Sequence, residues 1–252
     1  MAPYLATVAI GHFELRRSAI GAIPTWIAIH RFWLGSPGPD RAAVRRAARE
    51  LPRVLRFESG LFGPYPFDAA GLIIGNSPDF DYALETQTRP TFTYPPPAEL
   101  IVHEIAHQWF GDSVSVRTWA QIWLNEGFAT YAQWLWRERH GGPSAAHTFR
   151  LLKRRPPDAE LWNPPPARVG GPEHLFDPSV YIRGAMALEA LRLRVGNPVF
   201  FRILRGWATE NRYGNVTTPQ FRRFAERLSG KQLEGLFRTW LYRRGKPVPR
   251  VS

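Results

Sequence analysis

HEIAHQWFGD at 103–112 and WLNEGFATY at 123–131 are the two segments on which the reading of this chain turns. His103 and His107 stand four residues apart. At about 100° per residue they project within about 40° of each other on a helix, one turn apart. Two imidazoles so placed can reach one zinc ion at roughly 2.0–2.1 Å. Glu104 lies one step round, where it can approach a water held on the metal and take the proton that zinc makes acidic. In a chain with seven His and fourteen Glu, chance yields this pattern on the order of one per cent of the time. The rest of the helix is apolar (Leu100, Ile101, Ile105, Ala106, Trp109, Phe110). Unpartnered His and Glu side chains would be costly there, and a metal removes that cost.

A catalytic zinc needs a third protein ligand and an open position. Glu126 follows His107 after 18 intervening residues, on a second helix. Trp119, Ile122, Trp123, Phe128, Ala129 and Leu135 give that helix apolar material to pack on the first. A carboxylate facing the seam closes a His-His-Glu site for one ion.

Outward from this centre, β-branched and aromatic residues predict strands over 3–18 and 24–34, with Gly21 and Pro24 between the runs. Val44, Ala47, Ala48, Leu51 and Leu55 recur at helical spacing, which predicts a helix over 40–58, capped by Asp40 and kinked at Pro52. GLIIG at 71–75 is a short buried strand, and 80–93 reads as extended. Pro95, Pro96 and Pro97 precede a helix running to about Phe110, and the second zinc helix covers about 119–139. Residues 153–177 are rich in proline and glycine and read as a long irregular loop. Helices follow over 179–195, from Asn197-Pro198, from Thr218-Pro219 and over about 231–243, with Asn197 and Thr218 as capping residues. Extended structure early and helix late make an α+β fold rather than an alternating βαβ one.

The two linked motifs resemble those of the gluzincin zinc aminopeptidases, the family of aminopeptidase N and leukotriene hydrolase, over roughly residues 60 to 247. The resemblance implies His103, His107 and Glu126 as zinc ligands and Glu104 as general base. It implies one thermolysin-like catalytic domain: a small mixed-sheet lobe over 1–96, a helical lobe over 97–252 and the zinc cleft between them. The family's Tyr-x-Lys-Gly segment is matched by Tyr181-Ile182-Arg183-Gly184, with Arg for Lys, so Tyr181 becomes the phenol that supports the oxyanion. The family's Gly-x-Met-Glu-Asn segment corresponds to Tyr82-Ala83-Leu84-Glu85-Thr86, where only the glutamate is kept. Glu85 would hold the ammonium of a peptide with a free N-terminus. Family members carry an N-terminal β-rich domain for which only about sixty residues remain before the resemblance begins.

The implied reaction is removal of N-terminal residues from peptides. A thermolysin-like endopeptidase, an epoxide hydrolase and an inactive peptide-binding fragment are the alternatives. The absence of cysteine excludes disulfide scaffolds, thiolate-bound zinc and cysteine nucleophiles. The formal net charge of +12 raises nucleic-acid binding as a rival. The arginines that supply most of it are dispersed, and Arg41, Arg45, Arg46 and Arg49 fall at helical spacing on a solvated face. Neither nucleic acid nor membrane is expected as a partner. No apolar run approaches the ~18 residues of a membrane helix. The start of the chain does not read as a signal peptide. The composition suits a soluble protein in the cytoplasm or outside the cell. Side-chain preference and oligomeric state are not legible.

Overall fold

A computed structural model describes residues 2–35, 38–77 and 82–247. Strands β1 (Phe13–Ile20) and β2 (Ile23–His30) form an antiparallel hairpin. A short helix α1 (Arg31–Gly35) and the long helix α2 (Pro39–Phe62) then cross to β3 (Ala70–Ile74), which lies parallel to β2. Strands β4 (Ala83–Leu84) and β5 (Thr91–Phe92) pair antiparallel with each other, and β5 lies parallel to β3. Among the described residues the sheet order is β1-β2-β3-β5-β4, so β4 is the edge strand beside Glu85.

Alternation along β2 buries Thr25, Ile27 and Ile29 on one face. Against that face α2 presents Val44, Ala47, Leu51, Val54 and Leu55, all buried and at helical spacing. The helix runs through Pro52, and its N-terminal flank is Gly38 rather than Asp40, which sits in the first turn. The expected strand over 3–18 is a 3₁₀ turn at Pro3–Leu5 followed by β1 alone, and that over 24–34 ends where α1 begins. The extended stretch from 80 begins outside the described residues. From 82 onward it is a hairpin whose strands are only two residues long.

The helical half opens with α3 (Ala98–Ala106), then β6 (Val114–Val116), α4 (Trp123–Arg139) and α5 (Ala145–Lys153). Helix α3 stops before Phe110 because its last turns tighten: Gln108 N–H donates to Ile105 O and Trp109 N–H to Ala106 O. Gly111, at φ 147°, then folds the chain back so tightly that an added Cβ would lie 3.3 Å from the His107 carbonyl. The second helix of the pair begins with a separate 3₁₀ turn, Trp119–Gln121, and Trp119 is exposed rather than packed. The proline-rich stretch after α5 is largely irregular, but its Trp162 is fully buried.

A π turn at Ser179–Arg183 leads into α6 (Gly184–Val195), followed by α7 (Asn197–Glu210), β7 (Gly214–Val216), α8 (Thr218–Ser229) and α9 (Glu234–Phe237), with a second π turn at Arg238–Tyr242. β6 and β7 form a small parallel pair. Asn197 and Thr218 are first helical residues rather than caps; their polar atoms engage Arg192 and Gln121 instead. Among the described residues no helix is long and apolar enough to cross a membrane.

Candidate metal centre

Helices α3 and α4 pack side by side, and their seam carries the residues singled out above. His103, His107 and Glu126 are all buried, and their donor atoms lie within 4.8 Å of one another. Glu126 Oε2 is 3.1 Å from His103 Nε2 and 3.4 Å from His107 Nε2. Two ligands bound tetrahedrally at roughly 2.0–2.1 Å stand roughly 3.3 Å apart, so the spacing suits a single zinc ion. The other ring nitrogens are engaged behind the site. His107 Nδ1 lies 3.1 Å from Phe110 O, and His103 Nδ1 lies 3.4 Å from Gln133 Oε1. A proton on each Nδ1 leaves both Nε2 lone pairs aimed at the seam, as metal ligation requires.

Charge reinforces this arrangement. Burial acts to raise the Glu126 carboxyl, but the two histidines outweigh it and hold it below the ordinary range. Burial acts to lower His107, and Glu126 pushes it up instead. The three groups together thus attract positive charge, which a divalent cation supplies more fully than a proton. The site fits zinc by donor type, spacing and electrostatics.

Glu104 and Glu85 are buried beside His107. With His107 they form a second group of ligand-type atoms within 4.8 Å of one another. Burial pushes Glu104 up to about 8. Glu85 is buried rather than exposed on its edge strand. Its segment is braced by Gln108, whose Nε2 donates to Glu85 O (3.4 Å) and whose Oε1 accepts from Thr88 N–H (2.7 Å). Thr88 takes the left-handed conformation there, φ 67°. Tyr181 stacks on His103, ring centroids 6.0 Å apart. Burial, then Glu126 and Glu85, push its phenol up, so it stays a hydrogen-bond donor.

Tyr181 reaches the site because α4 and the start of α6 cross on two glycines. A Cβ on Gly127 would lie 2.9 Å from the Gly184 carbonyl carbon, and one on Gly184 would lie 3.0 Å from Gly127 Cα. Each glycine lies in a motif already quoted, Gly127 next to Glu126 and Gly184 three residues after Tyr181, but nothing in sequence spacing pairs them. Gln133, Gln108 and the two glycines are therefore among the residues that sequence reasoning missed.

Behind His107, Glu58 on α2 is fully buried, and neither carboxylate oxygen has a hydrogen-bond partner. Burial raises its pKa well above the usual value of 4.5, and His107 only partly opposes that. A raised folded-state value means that Glu58 favours folding below the unfolded value and that this is lost as pH rises. Glu58→Gln is expected to gain stability over the parent progressively above about pH 4.5. Thermal melts across pH check this; a gap that narrows with rising pH contradicts it.

Comparison with known proteins places this geometry in context. The Peptidase family M1 domain matches residues 70–240. Probable aminopeptidase 2 of Sulfurisphaera tokodaii is 27% identical over 282 residues, covering 100% of this chain and 34% of its own length. A variant of the M1 zinc metallopeptidase of Deinococcus radiodurans, bound to a Tyr-Ser-Ala substrate, superposes with TM-score 0.76 at 31% identity over 96% of this chain and 54% of that one. Leukotriene A4 hydrolase of Saccharomyces cerevisiae shares the fold at TM-score 0.72 and 19% identity. The chain thus spans about a third of the first curated relative, about half of the Deinococcus structure and 40% of the yeast hydrolase.

Proposed function

The chain belongs to peptidase family M1, a membership that implies a zinc cofactor, and from that premise we propose that it carries the catalytic machinery of a zinc aminopeptidase. The observation that carries the reading is the convergence, in one buried seam, of the His-His-Glu set with Glu104 and Glu85. In this reading the fold is thermolysin-like, with a sheet lobe over 1–96, a helical lobe over 97–252 and the cleft between. His103, His107 and Glu126 hold the ion. Zinc held there would supply a Lewis acid able to polarise a carbonyl and acidify water.

The remaining chemistry belongs to the chain's own side chains. Glu85 accepts the ammonium of the substrate's first residue and sets the scissile bond at fixed distance from Glu104. Glu104 takes the proton of the attacking water and passes it to the leaving amine. Tyr181 donates its phenol hydrogen bond to the oxygen on which charge develops. A β-rich N-terminal domain completes the proposal.

The test pairs a fluorogenic amino-acid amide with its N-acetylated form. Cleavage of the free amine alone, abolished by a chelator and restored by zinc, is the expected result. Equal cleavage of both points to an endopeptidase, and no cleavage of either to a peptide-binding fragment. Gly184→Ala should force the two helices apart, costing about 1–3 kcal/mol of stability. It should also lower kcat by on the order of a hundredfold with zinc retained. Wild-type kcat in this variant removes the crossing from the account.

A further inference from the structure

The N-terminal turn reaches the site from ahead of the first strand. Leu5 N–H donates to Ala2 O and Ala6 N–H to Pro3 O, closing a 3₁₀ turn. Leu5 is buried and anchors it. Tyr4 projects from this anchor toward the edge strand, 81 residues away in sequence, and its hydroxyl donates to Glu85 Oε1 at 2.8 Å. On its other side the Tyr4 ring leans on Trp119, centroids 5.2 Å apart. Tyr4 is 39% exposed and Trp119 46% exposed, so the pair presents aromatic surface to solvent beside the buried carboxylate.

We propose that Tyr4 is a positioning and specificity residue: its hydroxyl fixes the Glu85 carboxylate for the substrate's ammonium, and its ring, with Trp119, walls the space for the substrate's first side chain. A carboxylate has two acceptor oxygens. Tyr4 occupies Oε1 and so restricts rotation, while the other oxygen stays available to an ammonium. Tyr4 meets the Glu85 carboxylate from 81 residues away, and Gln108 braces the Glu85 backbone. An ammonium held by a carboxylate free to swing would sample several distances from Glu104, and binding would weaken. The aromatic pair offers apolar contact to a large first residue and little to alanine.

This inference rests on the aminopeptidase reading, and the experiment separates the two. Steady-state kinetics are measured on leucine and alanine amides with the full chain, Tyr4→Phe, Tyr4→Ala and Glu85→Gln, with zinc content and melting temperature recorded for each. Tyr4→Phe keeps the ring and should raise KM about tenfold with kcat nearly unchanged, the loss of one hydrogen bond to a charged group. Tyr4→Ala should also erase the preference for leucine over alanine. Glu85→Gln should raise KM at least as much as Tyr4→Phe. If KM rises in Glu85→Gln but not in Tyr4→Phe, the role of Tyr4 is overturned and the amine site stands. If Glu85→Gln leaves KM unchanged, the amine site itself is overturned, and the role of Tyr4 with it.

Discussion

Glu104→Gln is expected to leave zinc bound and to lower kcat by about 10²–10⁴-fold. Glutamine keeps the shape of the side chain and its place on α3, so the two flanking histidines should retain their ion. What it lacks is a carboxylate able to take a proton. Glu104 sits within 4.8 Å of both His107 and Glu85. Those neighbours have other tasks in the proposal, one on the metal and one on the substrate amine, so neither replaces the base. Burial, with the nearby carboxylates adding to it and His107 opposing, pushes Glu104 up to about 8. A divalent cation nearby acts the other way, because an opposite charge within a few ångströms favours the ionised form. The dependence is thus expected to run one way: metal removal leaves Glu104 largely protonated near neutral pH, whereas loss of the base spares the metal. Metal analysis beside turnover measures both halves. Unchanged turnover in Glu104→Gln contradicts the assignment.

Arg183→Leu is expected to lower stability by about 4 kcal/mol or more. The guanidinium is fully buried, and among the described residues no carboxylate forms an ion pair with it. It donates to four carbonyls: Trp240 O at 2.7 Å, Thr239 O at 3.1 Å, Arg243 O at 2.6 Å and Trp162 O. It thereby ties the turn bearing Tyr181 to the C-terminal π turn and to the proline-rich loop. Burial lowers its pKa to about 10, so it remains charged at neutral pH. Each carbonyl left without a donor costs about 1–3 kcal/mol, and leucine supplies none. For a chain of this size the loss corresponds to a melting temperature lower by on the order of 10 °C. Arg183→Lys keeps the charge but offers three donors from a single point, so it should fall between leucine and the parent. A melting temperature for Arg183→Leu within a degree or so of the parent contradicts this reading. The arginine that replaces the family's lysine is therefore a structural clamp by its contacts, two residues from the phenol whose position it secures.

Much of the site was legible because its information is local. Four-residue spacing sets His103 and His107 on one face whatever the tertiary structure, and apolar residues around Glu126 supply the seam. The helical stretches were legible for the same reason, since periodicity and proline placement act over a few residues. What escaped depends on groups distant in sequence. Tyr4 meets Glu85 across 81 residues, Gln133 meets His103 across 30, and Arg183 meets Trp240 across 57. Gly127 and Gly184 matter only through each other. Residues 6–12 carry the β-branched Thr7, Val8 and Ile10 that suggest a strand, yet pairing with β2 begins at Phe13. Val8 and Ile10 are exposed instead. Strand propensity is realised only where a partner lies alongside.

The central claim is that one zinc ion is held by side chains from two neighbouring helices. Elemental analysis of the purified chain, in parallel with His103→Ala, His107→Ala and Glu126→Ala, tests it most directly. One zinc per parent chain and far less in each variant, with all four still folded, is the predicted result. A folded parent that binds no zinc, or a Glu126→Ala chain that keeps it in full, would contradict the account.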